Sequence, residues 1–148
     1  MSRCKIKVYA GDAYLVPGDL HFGQHNAAAI KAMDRLFANK FRRNRRGVIC
    51  LGDAIDSHPI TRHDRKAERL AAIPTLMDEV RLAYPWFENA AWSPLGCTYV
   101  LGNHEAWIQD IVNSQPGLAG APGMEWGTLT GLNTIENLDI LPYKTWID

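Results

Sequence analysis

Apolar residues along this chain recur with two different spacings. Val48-Ile49-Cys50-Leu51 and Thr98-Tyr99-Val100-Leu101 are short continuous runs, the pattern of strands covered on both faces. Around them the spacing lengthens to that of a helix. Asn26 can cap a helix in which Ile30, Met33, Phe37 and Phe41 fall at i, i+3, i+7 and i+11, on one face. After Pro59, Thr61 can start a second helix, with Leu70, Ile73, Met77, Val80 and Tyr84 as a broad apolar stripe. Pro74 interrupts it; proline removes a donor and clashes one turn back, which predicts a kink or break near Ile73. Glu105 to Val112 reads as a short helix behind the third strand.

The two ends of the chain are less regular. Cys4 to Tyr9 alternates and then turns at Ala10-Gly11-Asp12 into Tyr14-Leu15-Val16, which predicts an N-terminal strand or hairpin. Gln115 to Gly123 reads as a surface loop, Trp126 to Leu132 as a short helix, and Leu138 to Asp148 as two short strands around Pro142. Strand and helix alternate, so the expected fold is α/β, a mostly parallel sheet flanked by helices.

At 148 residues and 47% hydrophobic composition, residues 1–148 are expected to form one domain with a sizeable core. Sixteen basic and sixteen acidic side chains cancel, leaving no global field to recruit nucleic acid or an anionic membrane. Cys4, Cys50 and Cys97 are too few and too scattered for a disulfide framework or a thiolate metal cluster. No apolar run reaches the roughly 18 residues that cross a bilayer, so no membrane association and a cytoplasmic location are expected. Lys40, Arg42, Arg43, Arg45 and Arg46 read as a solvated helix end rather than a phosphate-backbone contact. The tryptophans read mostly as packing residues.

Three motifs stand directly after strand-like runs: Asp19-Leu20-His21, Gly52-Asp53-Ala54-Ile55-Asp56 and Gly102-Asn103-His104-Glu105. Residues two apart at a strand end face the same side, so Asp19 and His21 can address one point. Asp53 and Asn103 follow the next two strands, and open α/β sheets bind ligands at these carboxyl ends. Carboxylate, imidazole and amide donors without thiolate suit divalent manganese, iron, zinc or magnesium. A lone aspartate can bridge two such ions, which together activate a water and neutralise charge built up in a displacement. Gly52 and Gly102 leave room for tight backbone and for ions.

These DxH, GDxxD and GNHE motifs resemble those of the calcineurin-like metallophosphoesterase superfamily, over most of the chain. The resemblance implies the first half of a layered α-β-β-α sandwich and a metal-dependent phosphoric ester hydrolase. By motif, Asp19 and His21 would bind a first ion, Asp53 would bridge, Asn103 would bind a second, and catalytic His104 would contact the phosphate. Asp56 and Glu105 would support them. The segment from Gly52 through His63, and a GNHE followed by a Pro-Gly loop, looks like phosphoesterases encoded in phage and prophage genomes. Protein serine/threonine phosphatases carry Arg-Gly after the second aspartate, whereas Ser57-His58 follow Asp56 here, which disfavours phosphoprotein substrates.

The family completes its site with a later histidine and a GHxH motif, but His104 is the last histidine of this chain. The domain is therefore expected to be C-terminally incomplete, with at most one of two ions well bound, manganese foremost. His25, His58 and His63 read as solvated or hydrogen-bonded residues rather than replacement ligands. The expected partners are a phosphate ester substrate, with nucleic acid as one possible form, and a complementing C-terminal chain. The competing expectation is a catalytically silent fragment or binding module that needs such a second chain.

Overall fold

The computed structural model describes residues 3–57 and 75–147. The start of the second helix at Thr61, the kink near Ile73, and His58 and His63 lie outside the described residues. Strands β1 (Arg3–Cys4), β2 (Asp12–Leu15), β3 (Arg45–Cys50), β4 (Cys97–Val100), β5 (Leu138–Leu141) and β6 (Trp146–Ile147) form two sheets. The larger has the order β2-β3-β4-β5 and is parallel throughout, while β1 pairs in parallel with β6. The helices are α1 (Ala27–Lys40), α2 (Leu76–Ala91), α3 (Asn103–Ser114) and α4 (Trp126–Thr130), the last followed by a 3-10 turn at Leu132–Thr134. The expected α/β class with a parallel sheet and flanking helices is present. Among the described residues no helix is long and apolar enough to cross a membrane.

Register explains the core. Leu15, Val48, Cys97 and Leu138 stand opposite one another across the four strands, and Cys50, Tyr99 and Ile140 form the next row. Side chains in one row share a face, so seven apolar groups make a continuous floor. Against it pack Val80, Ala83, Phe87 and Ala91 of α2, Ile30 and Met33 of α1, and Trp126 of α4. Ile49 and Val100, on the alternate face, are also buried. Burial pushes the Cys97 thiol up to about 12 and the Cys50 thiol higher still, so both are neutral packing groups.

The N-terminal expectation of a strand or hairpin is met by strands, β1 and β2, which lie in different sheets. No hairpin joins Cys4–Tyr9 to the next strand: the Asp12 carboxylate accepts from the Tyr9 amide at 2.9 Å, closing a turn that starts β2. Val8 and Tyr9 stay exposed. Local alternation had no buried face to select it, and Arg3–Cys4 instead found β6.

Asn26 caps α1 as expected, its side-chain oxygen accepting from the Ala29 amide at 3.1 Å. The basic cluster at the far end makes local contacts. Arg46 donates to the Ala38 carbonyl at 3.2 Å, and Arg45 pairs with Asp12 at 2.9 Å. Both residues open β3, whereas the site motifs follow its end.

Helix α2 begins after Pro74 with a reciprocal cap. The Thr75 hydroxyl accepts from the Asp78 amide at 3.2 Å, and the Asp78 carboxylate accepts from the Thr75 amide at 3.0 Å. The Thr75 hydroxyl and amide together hold the Asp78 carboxyl below its ordinary range, with Arg81 adding to the effect. A lowered folded-state pKa stabilises the fold above the ordinary aspartate value and is lost as pH falls through the folded one. Asp78→Ala is therefore expected to lower the melting temperature near neutral pH, and the difference should close on acidification below about pH 3.9. Thermal melts of both chains across that range check it.

Candidate metal centre

The loops that follow β2 and β3 continue the sheet's pairing beyond the strands. The Leu51 amide donates to the Pro17 carbonyl at 2.8 Å, Asp19 to Gly52 at 3.1 Å, His21 to Asp53 at 3.0 Å and Phe22 to Ala54 at 2.7 Å. This ladder brings the first two motifs side by side. The third joins them through α3, because the Asp53 carboxylate accepts from the His104 amide at 2.9 Å. That amide lies in the first turn of α3, where the helix dipole favours an anion.

Glu105 ties the loop after β3 to the end of β4 and the start of α3. It is fully buried, and its two oxygens accept four hydrogen bonds: Oε1 from the Ile55 amide at 3.0 Å and the Tyr99 hydroxyl at 2.6 Å, Oε2 from the Asp53 amide at 3.1 Å and the Gly102 amide at 2.8 Å. Burial first, and the Glu105 charge second, push Tyr99 well above the ordinary phenol value, so it remains a donor. Gly52 and Gly102 pack backbone to backbone beneath this carboxylate. A Cβ on Gly102 would overlap the Asp53 amide nitrogen and carboxylate oxygen, and one on Gly52, at φ +93°, would overlap the Gly102 backbone. Glycine is therefore required at both positions.

Above this base Asp19, His21 and Asp53 each offer a ligand atom, all within 4.8 Å of one another. His21 Nε2 lies 3.8 Å from the Asp19 carboxylate, whose side chain is 80% exposed. All three residues have left-handed backbone, with φ of 51°, 48° and 48°. Aspartate and histidine are among the non-glycine residues that tolerate this region best, yet such clustering of strained positions is typical of functional sites.

His21, Asp56 and His104 form a second group of similar spacing, but hydrogen bonding sets its role. The Asp56 carboxylate accepts from His21 Nδ1 at 2.8 Å. A carboxylate only accepts, so Nδ1 carries the proton and Nε2, on the Asp19 side, keeps its lone pair. A carboxylate behind a ligating imidazole in this way fixes its tautomer and orientation. His104 Nδ1 likewise must donate, since its partner is the Asp56 carbonyl. Its ring stacks on Trp107 with centroids 4.4 Å apart and meets His21 edge-on at 4.9 Å. Asp56 thus holds both histidines.

The sequence-derived ligands Asp19, His21 and Asp53 do converge, and their hard and borderline donors fit a divalent cation. Asn103 opens α3, half-buried, one residue before the amide that binds Asp53. His25 is not among them: its Nδ1 accepts from the Gly23 amide at 3.3 Å and its ring packs on Phe22. Sequence reasoning missed Trp107, whose place one helical turn after His104 was the available signal. It also missed Glu79, a fully buried carboxylate on α2.

Comparison of the chain with protein-family models, with curated proteins and with solved structures finds no match. The functional reading therefore rests on the motifs and on the geometry just described.

Proposed function

We propose that the chain is a metal-dependent phosphoric ester hydrolase of the calcineurin-like metallophosphoesterase type, its sheet being the first half of a layered α-β-β-α sandwich. The observation that carries this reading is the convergence of Asp19, His21 and Asp53 beside a His104 that two neighbouring groups hold in place. Asp19, His21 and Asp53 would hold one divalent ion, manganese foremost, with iron or zinc as alternatives. Asp53 and Asn103 would offer the beginnings of a second position. A cation bound there supplies Lewis-acid charge neutralisation and an activated water.

The chain's own residues do the rest. Asp56 keeps the His21 Nε2 lone pair available by binding the proton on Nδ1. With Nδ1 committed to the Asp56 carbonyl, His104 in the imidazolium form has its Nε2 proton left to donate to a phosphoryl oxygen or to transfer to the leaving oxygen. Trp107 covers one face of that imidazole and limits its rotation.

Calorimetric titration with Mn2+, followed by hydrolysis of p-nitrophenyl phosphate and bis(p-nitrophenyl) phosphate, tests the reading. The expected result is Mn2+ binding, hydrolysis that a chelator stops and Mn2+ restores, and about tenfold or greater weakening of ion affinity in Asp19→Ala. Hydrolysis insensitive to both chelator and Asp19→Ala would sink it. Ion binding without hydrolysis would favour a binding module completed by a second chain.

A further inference from the structure

Buried beneath the site, α2 presents one acidic side chain to the loops above it. Glu79 falls at i with Ala83, Trp86 and Phe87 at i+4, i+7 and i+8, all buried, so it occupies the core stripe of its helix. A carboxylate in such a stripe needs fixed donors. Its Oε2 accepts from the Ser57 amide at 2.8 Å. Gly23, at φ +110°, packs on the same side chain so closely that a Cβ there would stand 2.9 Å from Glu79 Cγ. Glu79 therefore touches both the loop after β2 and the loop after β3.

Ser57 is itself unusual. It is fully buried, holds a left-handed φ of 53°, and its hydroxyl oxygen has no hydrogen-bond partner among the described residues. Among the described residues, the hydrogen bond from its amide to Glu79 is the contact that holds it. The residue before it is Asp56, whose carboxylate receives His21 Nδ1 and whose carbonyl receives His104 Nδ1.

We propose that Glu79 is a positioning residue for the site: by holding the Ser57 amide it fixes Asp56, and through Asp56 the orientation and tautomer of both His21 and His104. Glu105 and Glu79 then divide the work. Glu105 ties the loop after β3 to α3, and Glu79 ties the same loop to α2 and to the loop after β2. The metal-affinity part of this inference rests on the proposed function, whereas the histidine tautomers do not.

Glu79→Met keeps the side chain's length and helix preference but removes the acceptor, and Glu79→Gln restores an acceptor oxygen. Long-range nitrogen–proton correlation spectra of the imidazoles, recorded without metal, report the tautomers. The parent is expected to show the Nδ1–H form for both His21 and His104, Glu79→Met a mixture, and Glu79→Gln the parental pattern. Mn2+ affinity should fall about tenfold or more in Glu79→Met and recover in Glu79→Gln.

A folded Glu79→Met with parental tautomers would overturn the inference, as would a Glu79→Gln as disturbed as the methionine variant. If Glu79→Met does not fold, hydrogen exchange in the parent decides: the Ser57 amide should be protected, and exchange at the rate of an open amide overturns the proposal. A parent that binds no Mn2+ would sink the reading of the metal centre and leave the tautomers to judge Glu79.

Discussion

Glu105→Gln is expected to destabilise this fold although it exchanges a single atom. Each carboxylate oxygen of Glu105 accepts two hydrogen bonds. An amide can present an oxygen to only one pair, and its NH2 must face the other. With the NH2 on the Ile55–Tyr99 side the phenol can turn to accept from it, so the Ile55 amide is the donor left without a partner in a site closed to water. At about 1–3 kcal/mol for a stranded group, the loss is a sizeable share of the total stability of about 5–15 kcal/mol of a typical domain. Urea denaturation checks this through the transition midpoint, and a midpoint equal to the parent's would show that the four bonds are not holding the loops. Because the same bonds set the places of Asp53 and Gly102, any folded Glu105→Gln should also bind Mn2+ more weakly than the parent.

Gly102→Ala should leave the core strands intact and remove the site. The added methyl overlaps the Asp53 amide and carboxylate rather than a flexible side-chain end, so it cannot be absorbed by rotation of a rotamer. Asp53 or the start of α3 has to shift, and either movement separates Asp53 from the His104 amide that binds it. A displacement of about 1 Å at a reacting centre costs on the order of 10²-fold in rate. Ion affinity and hydrolysis should fall together, with the far-ultraviolet circular dichroism of the parent retained. Parental Mn2+ affinity in Gly102→Ala would place the ion elsewhere than on Asp53.

Legibility followed physical cause. Val48 to Cys50 and Tyr99 to Val100 were readable because burial on both faces leaves an unbroken apolar run; the expected strands ran one residue too far, to the exposed Leu51 and to Leu101. The cap at Asn26 was readable because its chemistry is local. Of the N-terminal strand or hairpin, strands formed and the hairpin did not: alternation over Cys4 to Tyr9 implies a longer half-buried strand, yet the pairing that formed joins Arg3–Cys4 to Trp146–Ile147 at the other end of the chain. At the site, Asp19, His21 and Asp53 were found by motif and meet as expected. The tasks of Asp56 and Glu105 were not readable, since they depend on which amides and imidazoles arrive from other loops. Glu79 was hidden by the periodicity that revealed its helix: Met77, Val80 and Tyr84 defined the stripe, and apolar spacing carries no signal for a buried carboxylate.

The left-handed backbone at Asp19, His21 and Asp53 places chemistry and folding in competition at the same three positions. Glycine would adopt those angles with less strain, and asparagine is also at ease there. A population of variants selected only for heat resistance should therefore accumulate glycine and asparagine at Asp19, whose side chain is 80% exposed, while the bonds of His21 to Asp56 and of Asp53 to the His104 amide oppose that drift at the other two positions. Retention of aspartate at position 19 against that drift would itself report selection for a bound cation.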